Sequence, residues 1–241
     1  MSTAKAHDTK LLYRDEYFIQ DKDTDVFGSL RPASVALIMQ DLAELHASSY
    51  GNSRDDLLKT NAVWVLARTK ASFSKLSGPR ERLELLTWPG RMVRSIFPRY
   101  YSFKLDGETI GSAVTLWMLV DSIKHEPADP AAHNVYITGD PTIPPPLGNP
   151  VRLREKGEPL YSVTRRCSYS DLDYNRHMNN ARYVEWLCDT VNPSSTPKGF
   201  QVNFLSEVRN GEEISLNVYQ DALVVGINAN GVRAFEGKLE F

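Results

Sequence analysis

The chain has 241 residues, 41% of them hydrophobic and 24% charged, with a formal net charge of −2. That length suits one large domain or two small ones, each able to bury a core, and the balance excludes a nucleic-acid binder held by bulk charge. No run of 18 apolar residues is present to form a membrane span, the N-terminal MSTAKAHDTK lacks an apolar secretory core, and Cys167 and Cys188 cannot build a disulfide framework. These features predict a cytoplasmic protein, bacterial, or plastid stromal if a transit peptide has been removed.

Residues 11–20 are rich in β-formers and predict a strand, followed by an acidic turn. Pro32 opens and Gly51 closes a predicted helix whose stripe is Val35, Ile38, Leu42, Leu45 and Ser49, flanked by Met39 and His46. Four strands are predicted over 62–73, 81–94, 97–105 and 109–121, with a tight Asp106-Gly107 hairpin between the last two. Residues 126–159 hold eight of the 14 prolines, so they read as a linker or a long ordered excursion. The pattern then repeats: a strand over 160–168, a polar loop, a helix over 180–191 and strands over 200–208, 213–220, 222–228 and 232–241. In this reading Asp23 and Asp25 occupy roughly the places of Asp173 and Asn175, and nothing in the first half matches His177. The expected fold is α+β, two antiparallel sheets each wrapped around one helix, paired so that an open edge is covered. The expected boundaries are an N-terminal domain over 1–125, a linker over 126–158 and a C-terminal domain over 159–241.

The densest polar cluster, DLDYNRHMNN over 171–180, lies between a strand and a helix start. The first N–H groups of a helix lack internal partners and carry the positive end of its dipole. Such groups, here on Met178, Asn179 and Asn180, can hold the developing oxyanion of acyl transfer. Asp173, Asn175 and His177 are spaced by two, so an extended segment would point all three the same way. Taken alone, such residues are as common in turns and caps.

The string DLDYNRHMNNARYVEW resembles the signature of the acyl-acyl-carrier-protein thioesterases, the double hot-dog enzymes of bacteria and plant plastids. Its D-x-N-x-H-x-N-N-x-x-Y pattern is met by Asp173, Asn175, His177, Asn179, Asn180 and Tyr183. Gln40 to Ala43, Gly51, Trp64 to Arg68, Thr87-Trp88 and Trp117 to Asp121 resemble the family too. The resemblance implies tandem hot-dog domains and hydrolysis of fatty acyl thioesters on acyl carrier protein, ending chain elongation; no cofactor is expected, and His7, His46, His125 and His133 are scattered without metal-ligand spacing, so no metal is expected either. It implies a glutamate on the strand after the second helix, where Glu207 falls. It also places Val208 where many plant members carry a cysteine, so the implied mechanism is water attack helped by carboxylate and imidazole. Glu207 or Asp173 is then the base or nucleophile, with His177 and Asn175 orienting water and thioester, and Asp173→Asn or His177→Ala would each abolish most turnover while the protein stays folded.

The resemblance further implies that the N-terminal domain houses the acyl chain, with Met39, Leu42, Trp64, Leu66, Trp117 and Leu119 as lining candidates, although such residues are as often plain core. Two basic clusters are candidate docking patches for acidic acyl carrier protein: Arg91, Arg94 and Arg99, and Arg152, Arg154, Lys156, Arg165 and Arg166. The alternatives are an acyl-CoA thioesterase on the same scaffold, a non-catalytic acyl-binding module and, behind these, a hot-dog dehydratase. No G-x-S-x-G elbow is present, which excludes an α/β-hydrolase. Two such units in one chain are compatible with a monomer or a homodimer.

Overall fold

The computed structural model describes residues 11–137 and 139–241. The polar N-terminus, His7 included, lies outside the described residues. The first unit comprises strand β1 (Tyr13–Phe18), helices α1 (Pro32–Ser48) and α2 (Arg54–Leu58), and strands β2 (Ala62–Phe73), β3 (Arg82–Pro89), β4 (Phe97–Leu105) and β5 (Glu108–Asp121). The second comprises β6 (Tyr161–Arg166), α3 (Asn180–Val191), β7 (Gly199–Phe204), β8 (Glu213–Tyr219), β9 (Leu223–Asn228) and β10 (Arg233–Glu240).

All ten strands form one antiparallel sheet, in the order β1-β3-β4-β5-β2-β7-β10-β9-β8-β6. Each unit has the same internal order, and the units join edge to edge through β2 and β7. Lys70 pairs with Gln201 at the centre of that joint, and Ala71↔Phe200 mirrors Thr69↔Val202. A pseudo-twofold axis therefore relates the halves at this pair. The internal repeat read from the sequence is the architecture itself, and pairing removes one open edge from each unit.

Helices α1 and α3 pack against each other and against one face of the sheet, and a single core cluster spans both units. The buried stripe of α1 is Val35, Ile38, Met39, Leu42, Ala43 and His46, while Leu45 is half exposed. The stripe thus lies one residue-row away from the predicted one. Helix α2, five residues long, is too short to show an apolar periodicity in the sequence. Ser53 caps it, accepting from the Asp56 amide while the Asp56 carboxylate reaches back to the Ser53 amide, so five residues suffice.

The proline-rich segment is an ordered strap over the opposite face of the sheet. Ile143 and Leu147 cover a cluster of Leu86, Trp88, Tyr100, Val114 and Leu116. Further on, the Pro150 carbonyl accepts from Arg68 Nη1 (3.1 Å) and the Val151 carbonyl from Asn203 Nδ2 (3.0 Å). Glu155 pairs with Arg233, which also holds the buried Glu236. The strap satisfies polar groups at the central strands that would otherwise face water poorly or be orphaned.

Candidate active site

The loop from β6 to α3 is a tight turn, not an extended run. Its Asp173 carboxylate Oδ1 accepts from the Asn175 amide (2.8 Å) and the His177 amide (3.4 Å). The Asp173 amide donates to the His177 carbonyl (2.9 Å), and Arg176 takes a left-handed φ of 66°. Asp173, Asn175 and His177 therefore do not project side by side.

The first unit contains the same turn. Asp25 Oδ1 accepts from the amides of Phe27 and Ser29, the Asp25 amide donates to the Ser29 carbonyl, and Gly28 takes φ 77°. The bridge Leu172↔Met178 is matched by Thr24↔Leu30. Asp25 is thus the counterpart of Asp173, two residues away from the match that the sequence suggests. Phe27 stands for Asn175, Ser29 for His177 and Pro32 for Asn180. On the neighbouring strand, Met178 donates to the Val208 carbonyl and Leu30 to that of Ser77, so Leu76 stands for Glu207. The carboxylate that builds the turn is kept in both units. The amide, imidazole and acid are present in the second alone.

Two of the expected residues come together. His177 Nε2 lies 3.1 Å from Glu207 Oε2. Glu207 is not on β7, which ends at Phe204; it sits in the loop beyond, where an isolated bridge pairs His177 with Arg209. Arg209 Nη2 lies 3.3 Å from the same Glu207 oxygen. Val208 is buried and its carbonyl holds Met178, so nothing nucleophilic stands in its place. Tyr183 is buried edge-on against Phe204 and Phe235, with a hydrogen bond to the Val208 backbone, and fixes the approach of the Glu207 loop to α3.

Asn175 faces the other unit. Its Oδ1 accepts from Arg54 Nε (3.1 Å) and Nη2 (2.9 Å), and its Nδ2 donates to Asp173 Oδ2 (3.3 Å). The Arg54 guanidinium lies over the Tyr174 ring at 4.3 Å. Arg54 belongs to α2, and nothing in the sequence pattern pointed to it, because the contact spans 121 positions.

The helix N-terminus corrects another expectation. The Met178 amide donates to Val208 and the Asn179 amide to Asp171, so neither is free to hold an oxyanion. Asn179 is the N-cap, its side chain accepting from the Ala181 amide (2.9 Å). The Arg182 amide bonds to the Asn179 carbonyl. Of the first amides, that of Asn180 alone has no partner among the described residues.

Asn180 also lines a narrow cleft between α1, β2, β4 and β5, with Met39, Leu66, Trp117 and Phe204 as its apolar wall. Met39, Leu66 and Trp117 are three of the expected lining residues. The others are core: Leu42 is buried in α1, Leu119 joins Leu57, Phe97 and Val135, and Trp64 packs on Phe97 while its Nε1 donates to the Asn52 carbonyl.

Of the basic clusters, the first is broken up because Arg99 is buried. Arg165 pairs with Asp189 and covers Trp186. Of the other cations, Arg209 contacts Glu207 and Arg54 contacts Asn175 in the same loop. Both cysteines are free, and burial pushes the Cys167 thiol up to about 11 and the Cys188 thiol up to about 12. They are therefore protonated near neutral pH. Treatment with iodoacetamide at pH 7.5 is expected to leave both unmodified in the folded protein, by mass spectrometry. Rapid labelling would contradict the burial of Cys167 and the raised pKa of both thiols.

The acyl-ACP thioesterase N-terminal domain model matches residues 10–131, and the acyl-ACP thioesterase C-terminal domain model matches residues 157–233. The chain belongs to the acyl-ACP thioesterase family. It is 21% identical to a chloroplastic palmitoyl-acyl carrier protein thioesterase of Arabidopsis thaliana over 198 residues, covering 75% of this chain and 47% of that one. It is 22% identical to a chloroplastic oleoyl-acyl carrier protein thioesterase of the same plant, covering 74% of this chain and 54% of that one. The chain thus spans about half the length of these relatives. Among solved structures, an acyl-ACP thioesterase from Bacteroides thetaiotaomicron superposes with a TM-score of 0.85 at 23% identity, over 97% of this chain and 98% of that one. The 12:0-ACP thioesterase from Umbellularia californica gives 0.78 at 17%, over 95% and 96%. These likenesses establish the tandem hot-dog fold. Among the described residues, no helix is long and apolar enough to cross a membrane.

Proposed function

We propose that this acyl-ACP thioesterase family member hydrolyses fatty acyl thioesters carried on acyl carrier protein. The observation that carries the reading is the His177–Glu207 pair at 3.1 Å, near a helix start whose Asn180 amide has no partner among the described residues and whose Asn180 lines a cleft with one apolar wall. The second unit supplies the chemistry and the first the wall for the acyl chain.

In this reading Glu207 takes a proton from water, and the water oxygen bonds to the thioester carbon. The negative charge gathering on the carbonyl oxygen is held by the Asn180 N–H and the α3 dipole. The carbon–sulfur bond then breaks, and the proton passes through His177 to the leaving thiolate. A carboxylic acid and the free carrier thiol result, so atoms and charge balance. Asp173 holds the turn that presents His177. Its counterpart Asp25 does the same in a unit with neither imidazole nor acid, which argues against Asp173 as the base. Arg54 beside Asn175 and Arg209 beside Glu207 supply positive charge at the site, suited to an acidic carrier.

The test is thiol release from a panel of acyl carrier protein thioesters and the matching acyl-CoAs. Carrier esters are expected to be cleaved faster, with the advantage shrinking as salt is raised. Equal rates on both carriers at all salt concentrations would favour an acyl-CoA thioesterase instead. Acyl binding without thiol release would sink the hydrolytic reading.

A further inference from the structure

The pseudo-twofold axis allows the interiors of the two units to be compared position by position. Strand registers make Thr69 the counterpart of Phe200, Thr115 of Leu239, Tyr101 of Val224 and Thr87 of Val218. All eight side chains are buried. The second unit fills this layer with apolar side chains, as an ordinary core does. The first fills it with hydroxyl groups, and there the cleft lies. Exchanging Phe and Leu for Thr both opens the space and makes its floor polar.

A cleft for a plain alkyl chain gains nothing from such a floor, because buried polar groups cost free energy unless they are hydrogen-bonded. Here they are not fully satisfied. Thr115 Oγ1 accepts from Trp117 Nε1 (2.7 Å) and shares one hydrogen with Tyr101 Oη (3.2 Å). The two hydroxyls bring two hydrogens to a bond that uses one. Burial pushes the Tyr101 phenol up to about 12, so it keeps its hydrogen at physiological pH. One O–H is thus left without an acceptor among the described residues. Thr69 and Gln40 also line the cleft, and among the described residues neither side chain has a hydrogen-bond partner. Deeper still, Arg99 contacts His46, Thr87 and Tyr50 and forms no ion pair with a described carboxylate. Its positive charge favours an electron-rich atom nearby.

We propose that the acyl group held in this cleft carries an oxygen, as a hydroxyl or a carbonyl, on one of the carbons near the thioester. The oxygen accepts the spare hydrogen of the Tyr101–Thr115 pair. Its place near the thioester follows because Asn180, Thr115 and Tyr101 border one short cleft. The inference rests on the thioester reading above for the identity of the bound group. A site built to bond a substrate oxygen disfavours the analogue that lacks it, because its own polar groups are then left unpaired.

The test uses the full chain and carrier-linked acyl groups of equal length: plain, 3-hydroxy, 3-oxo and 5-hydroxy. Thiol release is measured for each, and the matching free acids are ranked by displacement of a fluorescent fatty acid. At least one oxygenated acyl group is expected to exceed the plain one by about tenfold in kcat/KM, the effect of one good hydrogen bond, and its free acid to displace the probe more tightly. Thr115→Val and Tyr101→Phe should each bring that ratio below about threefold. Equal or better handling of the plain chain in both assays would overturn the proposal, as a resident water satisfying the hydroxyls predicts. So would a ratio unchanged in both variants. If no ester releases thiol but the free acids keep the oxygenated preference, the hydrolytic reading fails and this one stands.

Discussion

Asn180→Pro is expected to fold as well as the parent and to lose about two to three orders of magnitude in kcat, the cost of one oxyanion donor. The first unit shows why the fold tolerates it: Pro32 occupies the same first helical position in α1. Proline is favoured there because its missing N–H would have no helical partner and its φ suits the helix. The preceding residue must be extended, and Asn179 already is, at φ −60° and ψ 139°, close to Arg31 at −72° and 148°. The substitution therefore deletes the one amide hydrogen assigned to the oxyanion and little else of the backbone. Asn180→Ala keeps that hydrogen and separates the side chain's contribution. Thermal unfolding and kcat measured together decide the matter. A stable Asn180→Pro protein with near-parental turnover would remove the α3 amide from the mechanism.

Much of this was legible in the chain. The repeat and the strap as something other than core follow from residue patterns, whereas Glu207 enters the site only through the family resemblance. What escaped depended on register or on distance in sequence. Spacing by two reads as one face only in extended backbone, but the Asp173 carboxylate folds its segment into a turn, so Asn175 points at Arg54 instead. The alignment of the halves slipped by two because both carry paired acids, Asp23 and Asp25, Asp171 and Asp173, and only hydrogen bonding shows which acid holds which amide. Arg99 reads as surface charge in a run of arginines, yet strand alternation carries it inward beside His46. Trp64 and Leu42 have the composition of a lining and the placement of a core. No local pattern separates those two.

Glu207→Gln is expected to lose about three orders of magnitude or more in kcat/KM, while Asp173→Asn stays within about tenfold of the parent. Sequence pattern treats the two acids alike; their surroundings do not. Glu207 Oε2 faces His177 Nε2 and Arg209, and as an amide it can no longer accept a proton from water. Asp173 Oδ1 serves two backbone amides of its own turn, which the carbonyl oxygen of an asparagine can also do, and the substitution gives up only the longer bond that Oδ2 accepts from Asn175 Nδ2 (3.3 Å). The weaker acceptance by a neutral amide costs some rigidity of the loop that presents His177, hence a modest loss. Asp173→Ala removes the acceptor altogether and should lose far more, together with lowered thermal stability. His177→Ala should match Glu207→Gln, and the double variant should be little worse than either, since the two act as one unit. Additive losses would mean that they act separately. A dead Asp173→Asn protein that remains fully folded would return the role of base to Asp173 and leave Glu207 to orient the imidazole.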